Sequence, residues 1–211
     1  MAETLAPDVV RLPVAPLGIG NAYLLGDVLV DAGFPWSRRK LVGLVWSGRV
    51  REHALTHAHA DHLGATPQIA DAGVPVAVGA KDAPALATGE VLTHSSPLIR
   101  AMQRPLRPRP VQPSRELVEG DVLGGFEVLE VPGHTPGSLA FWRSSDRVLV
   151  VGDAAWNLLP GRASAVPAGF GSDHAATRRS LDRLVALGPH VVAFGHGTPL
   201  HSPAEVERAF G

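Results

Sequence analysis

The hexapeptide His57-Ala58-His59-Ala60-Asp61-His62 sets four potential metal ligands within six residues. Imidazole nitrogens and carboxylate oxygens are the donors that zinc and neighbouring divalent ions accept. Just before them, Arg51-Glu52-His53-Ala54-Leu55-Thr56 reads as a short strand running into the loop that carries the cluster. Side chains two residues apart on an extended chain point to the same side, so His57 and His59 converge on one ion. A turn after them aims Asp61 and His62 elsewhere, near enough to serve a second. The spacing therefore predicts two adjacent metals rather than one.

Three further ligand-type residues each stand where a strand pattern exits into a glycine-bearing turn. His134 lies in Val131-Pro132-Gly133-His134-Thr135-Pro136-Gly137-Ser138, Asp153 in Val150-Val151-Gly152-Asp153, and His196 in Phe194-Gly195-His196-Gly197. Glycine at such points lets the backbone bend sharply beneath a buried ion. If these strand ends share one sheet edge, their side chains meet the hexapeptide. His53, His94, His174, His190 and His201 lack such company and read as ordinary core or surface histidines.

The elements that must position these residues are legible in outline. Strand patterns occupy Val9–Val14, Asn21–Leu25 and Val28–Asp31, and Trp36–Trp46 reads as a helix with Leu41, Leu44 and Val45 on its apolar side. Beyond the cluster, Pro67–Ala72 and Lys81–Ala87 read as short helices around a strand at Val74–Val78. Strands return at Arg115–Val118, Phe126–Val131, Ser138–Trp142 and Val148–Val151, followed by a Gly/Pro/Ala-rich loop, Ala154–Gly171. Asp173–Leu187 is the clearest helix, then a strand at His190–Phe194 and a terminal helix at Pro203–Phe210. This order predicts a mixed α/β domain of sheets sandwiched by helices, not a doubly wound parallel sheet.

Composition narrows the function classes. At 211 residues, 45% hydrophobic and 18% charged, the chain can bury a substantial core. A formal net charge of −1 gives no general attraction to nucleic acid or anionic membrane, so a small-molecule substrate is expected instead. The absence of cysteine excludes disulfides, iron–sulfur clusters and cysteine nucleophiles. No apolar run approaches a membrane span, and the start Met1-Ala2-Glu3-Thr4-Leu5-Ala6-Pro7-Asp8 lacks the features of a signal peptide. A cytoplasmic protein is the expectation.

With these motifs in order, namely Asp31 in Leu29-Val30-Asp31-Ala32-Gly33, the His57–His62 cluster, His134, Asp153 and His196, the chain resembles the metallo-β-lactamase fold superfamily in its binuclear hydrolase form. The resemblance extends across essentially the whole length. It implies a four-layer αβ/βα sandwich of two mixed β-sheets flanked by helices, as one domain over residues 1–211. It further implies that His57, His59 and His134 hold one metal, that Asp61, His62 and His196 hold the other, and that Asp153 bridges both. Asp31 would support the ligands from behind. The ions expected are two divalent metals, zinc first, with iron or manganese as alternatives. Such ions lower the pKa of water to about 7, so a metal-bridging hydroxide attacking a carbonyl or thioester is the expected chemistry. Asp61 is placed to orient that hydroxide or shuttle its proton.

Departures narrow the substrate. Segment 132–138 is also similar to one subclass of true β-lactamases, but those lack an aspartate at the bridging position held here by Asp153, and the other subclasses use a cysteine. Glyoxalase II-like thioesterases share the seven ligands but add a C-terminal helical region, whereas only fifteen residues (211 minus 196) follow His196. Homoserine lactonases place a tyrosine where Trp156 stands, which makes lactonase the second reading after a small ester or thioester hydrolase. A mononuclear-iron persulfide dioxygenase and a non-catalytic metal-binding protein complete the alternatives. Trp156, Arg162 and Met102 are the candidate substrate-pocket residues, and the basic, proline-rich segment 88–114 reads either as a lid or as a stiffened connection or homodimer contact.

Overall fold

A computed structural model describes residues 1–90, 109–159 and 161–211, together with Leu98 and Ala101. Among these, seven strands form the first sheet: β1 (Glu3–Ala6), β2 (Val9–Pro13), β3 (Asn21–Leu25), β4 (Val28–Val30), β5 (Glu52–Ala54), β6 (Val76–Gly79) and β7 (Arg115–Leu117), in that spatial order. The first four pair antiparallel, whereas β4 through β7 run parallel. Parallel neighbours need crossovers. Helices α1 (Arg38–Trp46), α2 (Thr66–Asp71) and α3 (Ala83–Thr88) lie in those connections.

The second sheet contains β8 (Val122–Leu123), β9 (Phe126–Glu130), β10 (Leu139–Arg143), β11 (Val148–Gly152) and β14 (Val191–Phe194), in the order β14-β11-β10-β9-β8. Only β11 and β14 are parallel there. Between them in sequence, β12 (Ala155–Trp156) and β13 (Ser164–Ala165) form a two-stranded ribbon, and α4 (His174–Ala186) precedes β14. The chain ends in α5 (Pro203–Phe210). Both sheets are mixed and flanked by helices, as the resemblance implies.

Period-two alternation explains the four layers. Tyr23, Leu25, Val28 and Val30 of the first sheet meet Phe126, Val128, Phe141, Val148 and Val150 of the second in a central core. The intervening residues point outward and are buried as well. Ala22, Leu24 and Leu29 pack under Leu41, Val42 and Ile69 of the first helical layer. Ala140, Trp142, Leu149 and Val151 pack under Leu181, Leu184 and Val206 of the other. A strand apolar on both faces must be covered on both, and each fully buried Val, Leu or Phe contributes about 1.5–3 kcal/mol. α4 starts cleanly because Asp173 Oδ1 accepts from the Ala176 amide at 2.9 Å.

Several boundaries differ from the sequence reading. α3 starts at Ala83 rather than Lys81, because Pro84 is tolerated only in the first turn. β1 and the two-residue β8 carry too little alternation to be seen in isolation. The loop expected at 154–171 contains the β12–β13 ribbon, which is short and held by tertiary contacts. No helix among the described residues is long and apolar enough to cross a membrane.

His53 on β5 is a core residue. Its Nδ1 donates to the Leu29 carbonyl at 2.8 Å, which leaves Nε2 to accept from Thr66 Oγ1 at 2.9 Å. Burial holds its pKa below the ordinary imidazole value, against the Leu29 bond and the Asp31 charge. An unfolded chain protonates this group near about pH 6.5, whereas the fold resists doing so. The unfolded state therefore binds the extra proton, so the His53 contribution is intact above that pH and is lost as pH falls below it. Between about pH 7 and pH 5 the urea midpoint of the wild type should fall relative to that of His53→Gln. Identical slopes would contradict this assignment.

Candidate metal centre

β9 and β11 flank β10 antiparallel, so they run in the same direction, and β14 runs parallel to β11. The C-terminal ends of these three strands therefore share one edge, and His134, Asp153 and His196 follow them. In the first sheet, parallel β4 and β5 release Asp31 and the hexapeptide together. The hexapeptide leaves β5 and turns where the His62 amide donates to the His59 carbonyl at 3.0 Å.

These loops bring all seven candidate ligands together. His134 Nε2 lies 3.1 Å from His57 Nε2 and 2.8 Å from His59 Nδ1. His196 Nε2 lies 3.3 Å from His62 Nε2 and 3.2 Å from Asp61 Oδ2. Asp153 faces both groups: Oδ2 is 3.6 Å from His134 Nε2 and 3.2 Å from His196 Nε2, and Oδ1 is 3.6 Å from His62 Nε2. Donor atoms within 4.8 Å of one another form the sets His57/His59/His134, His57/His62/Asp153 and Asp61/His62/His196.

The donor set fits metal ions. One ring nitrogen, His134 Nε2, faces two others, and a single proton cannot satisfy all three, whereas a cation accepts every lone pair. Asp153 Oδ1 is buried without a hydrogen-bond partner, a costly state for a carboxylate oxygen unless a cation faces it. A Cβ at Gly195 would collide with that same oxygen and crowd His62, so glycine is required there for the carboxylate to enter.

The outer ring nitrogens are held in the sense that frees the inner ones. His62 Nδ1 donates to Asp31 Oδ2 at 2.9 Å, and His196 Nδ1 donates to the Ile19 carbonyl. His57 Nδ1 lies 3.0 Å from Thr56 Oγ1, which in turn donates to Asp31 Oδ2 at 2.9 Å. Burial, joined by the neighbouring histidines, holds His57 well below the ordinary imidazole range. Burial also opposes charging His196, but Asp153 and Asp61 outweigh it and raise its pKa to about 10. Burial works against ionised Asp61 and Asp153 too. The facing His196 and His62 prevail, holding Asp61 below, and Asp153 well below, the usual carboxylate range.

Residues with no motif of their own hold the His196 loop. Asn21 Nδ2 donates to the carbonyls of Phe194 and Gly197 at 3.0 and 2.9 Å, and the Tyr23 hydroxyl donates to the Phe194 carbonyl at 2.7 Å. Buried Arg11 holds Asn21 Oδ1 through Nε at 2.8 Å. Asp82, also unremarked in the sequence, is fully buried between two ligand loops. In the sequence it falls inside the helix pattern Lys81–Ala87, which gives no sign of that role.

Among the candidate pocket residues, Trp156 reaches the site. Its Nε1 donates to Asp153 Oδ2 at 2.9 Å, and its ring stands edge-on to His196 and Phe170, both at 5.1 Å between centroids. Arg162 does not join this cluster: it is exposed in a groove lined by Asn157, Thr198, His201 and Arg208, which contains none of the seven ligands. Trp156 ends β12, whereas Arg162 lies in the connection that leads to β13. Met102, and nearly all of the 88–114 segment's apolar face, lie outside the described residues.

A model of the Metallo-beta-lactamase superfamily matches residues 15–196. The chain belongs to that superfamily. As a metallo-beta-lactamase superfamily member it is 30% identical over 216 residues to the probable metallo-hydrolase YflN of Bacillus subtilis (strain 168), covering 86% of this chain and 82% of that one. It is 34% identical over 118 residues to the acyl-coenzyme A thioesterase MBLAC2 of Gallus gallus, covering 48% of this chain and 40% of the other. The crystal structure of TTHA1623 in a di-iron-bound form is similar with a TM-score of 0.74 at 31% identity, covering 94% of this chain and 97% of that one. The superfamily, the two mixed sheets and the His/Asp clusters together are those of a metallo-hydrolase with a binuclear site.

Proposed function

We propose that this metallo-hydrolase acts on a small thioester or ester, with the thioester favoured, as one domain over residues 1–211. The observation that carries the hydrolase reading is Asp153, a buried carboxylate that faces both histidine groups and has one oxygen without a hydrogen-bond partner. Similarity to an acyl-coenzyme A thioesterase over part of the chain supports the thioester. We take the ions as zinc, with iron as the alternative because a similar structure is di-iron-bound.

Divalent ions, once held here, would supply Lewis-acid chemistry and a lowered pKa for water. His57, His59 and His134 would hold one ion, Asp61, His62 and His196 the other, and Asp153 both. The surrounding residues govern the rest. Asp61 is more exposed than Asp153 and stays ionised, so it orients a nucleophilic water by accepting its proton in a hydrogen bond. Trp156 fixes the rotamer of Asp153 through its N–H. Its ring, with the exposed Phe170 beside it, gives the site an apolar flank suited to an acyl group.

Metal analysis coupled to a substrate panel tests the reading. The expected result is about two divalent ions per chain, with thioester turnover exceeding that of lactones by roughly tenfold. Preferential lactone turnover would move the assignment to lactonase. One iron with oxygen uptake on a persulfide would replace hydrolysis by dioxygenation.

A further inference from the structure

Asp82 occupies the helix-capping position of α3, yet its side chain makes no bond to that helix. Its carboxylate instead reaches two loops distant in sequence. Oδ2 accepts from the Ala58 amide at 3.0 Å and from Thr135 Oγ1 at 2.7 Å, and Oδ1 accepts from the Gly137 amide at 2.7 Å. Ala58 lies between His57 and His59, while Thr135 and Gly137 follow His134. One buried carboxylate thus holds the backbone beside three histidines that converge within 4.8 Å.

The packing around it is tight. A Cβ on Gly137 would fall 2.6 Å from Asp82 Oδ1, and one on Gly79 would collide with the Gly137 carbonyl. The Thr135 hydroxyl also lies 2.8 Å from Ser138 Oγ, which accepts from the Thr135 amide at 3.0 Å. The loop after His134 is therefore fixed from inside and from Asp82 together. Burial pushes the Asp82 carboxyl above the ordinary carboxylate range despite bonds to Thr135, Ala58 and Gly137. Burying it ionised therefore costs folding free energy at neutral pH.

The second position is held differently. The loop of His196 is fixed by Asn21, Tyr23 and Arg11, through bonds to the carbonyls of Phe194 and Gly197 in which Asp82 takes no part. Each candidate ion position therefore has its own buried clamp.

We propose that Asp82 is a positioning residue for the His57/His59/His134 ion and not for the Asp61/His62/His196 ion. This rests on the two-ion reading of the site. Outer partners of ligands that set their geometry typically contribute 10–100-fold in metal affinity. Loss of Asp82 frees the His57–His59 and His134 loops relative to each other, so three nitrogens no longer share one point.

The test is stepwise zinc affinity by chelator competition, with anomalous diffraction on zinc-limited crystals assigning occupancy to each position. Wild type should bind two ions, and failure there would refute the two-ion reading itself. In Asp82→Ala, the His57/His59/His134 ion should weaken by roughly 10–100-fold and the other by less than about threefold. Thr135→Val keeps the side-chain shape and removes one donor, so it should weaken the same ion by a smaller factor, with Thr135→Ser restoring it. It also keeps the test alive should Asp82→Ala fail to fold. Asn21→Ala should show the reverse selectivity. Equal weakening of both ions in Asp82→Ala and Thr135→Val, or no change in either, would overturn the proposal.

Discussion

Asp153→Ala is expected to lower kcat/KM by roughly a thousandfold or more, beyond the 10–100-fold typical of losing an outer partner. Metal content should fall from about two ions per chain to about one or less. The reason is the position of the carboxylate. Its two oxygens approach His62, His134 and His196 at 3.2–3.6 Å, so it faces members of both histidine groups. Alanine removes a negative charge from between two would-be dications and leaves the Trp156 N–H without its acceptor. Asp153→Asn separates shape from charge: it fills the same volume, yet its amide nitrogen turns a donor toward one group. If Asp153→Asn retained near wild-type turnover and two ions, the bridging role would be excluded.

Asp31→Asn is expected to weaken the ion at His62 by about 10–100-fold while leaving the fold intact. Asp31 is buried in a left-handed conformation, φ 61°, which asparagine tolerates and alanine does not. Its carboxylate accepts from the Thr56 amide at 2.8 Å and hydroxyl at 2.9 Å, and from His62 Nδ1 at 2.9 Å. An amide has one acceptor and one donor end. With the acceptor kept toward Thr56, the NH2 faces His62 Nδ1 and favours the other tautomer. That tautomer puts a proton on Nε2, the atom facing the site. Chelator competition reads the loss directly, and unchanged affinity would show that Asp31 does not set the tautomer. Asp31→Ala should also lower stability by several kcal/mol, through backbone strain and buried donors left unpaired.

The seven candidate ligands were legible because their types and spacing are local. Four sit in one hexapeptide, and the other three follow strand patterns ending in Gly133, Gly152 and Gly195. The order of strand and helix patterns carried the mixed α/β sandwich, while the two sheets in four layers came with the family resemblance; runs such as Leu139–Arg143 and Val148–Gly152 are buried on both faces, which demands cover on both. Arg162 was misplaced because β13 turns back to pair with β12, and the connection between them leaves the arginine in another groove.

By itself, the sequence determined which donors are present and that they leave strand ends, since both depend on neighbours a few residues apart. Only the tertiary structure decided which buried polar residues hold those donors in place. Asp82 falls within the helix pattern Lys81–Ala87, yet its partners stand 24, 53 and 55 residues away. Asn21 reads locally as the first residue of a strand, yet it holds carbonyls 173 and 176 residues away. A carboxylate or an amide carries no sign in the sequence of which distant backbone will come within 3 Å of it. That follows from how the two sheets stack, and the stacking is set by the apolar faces between them.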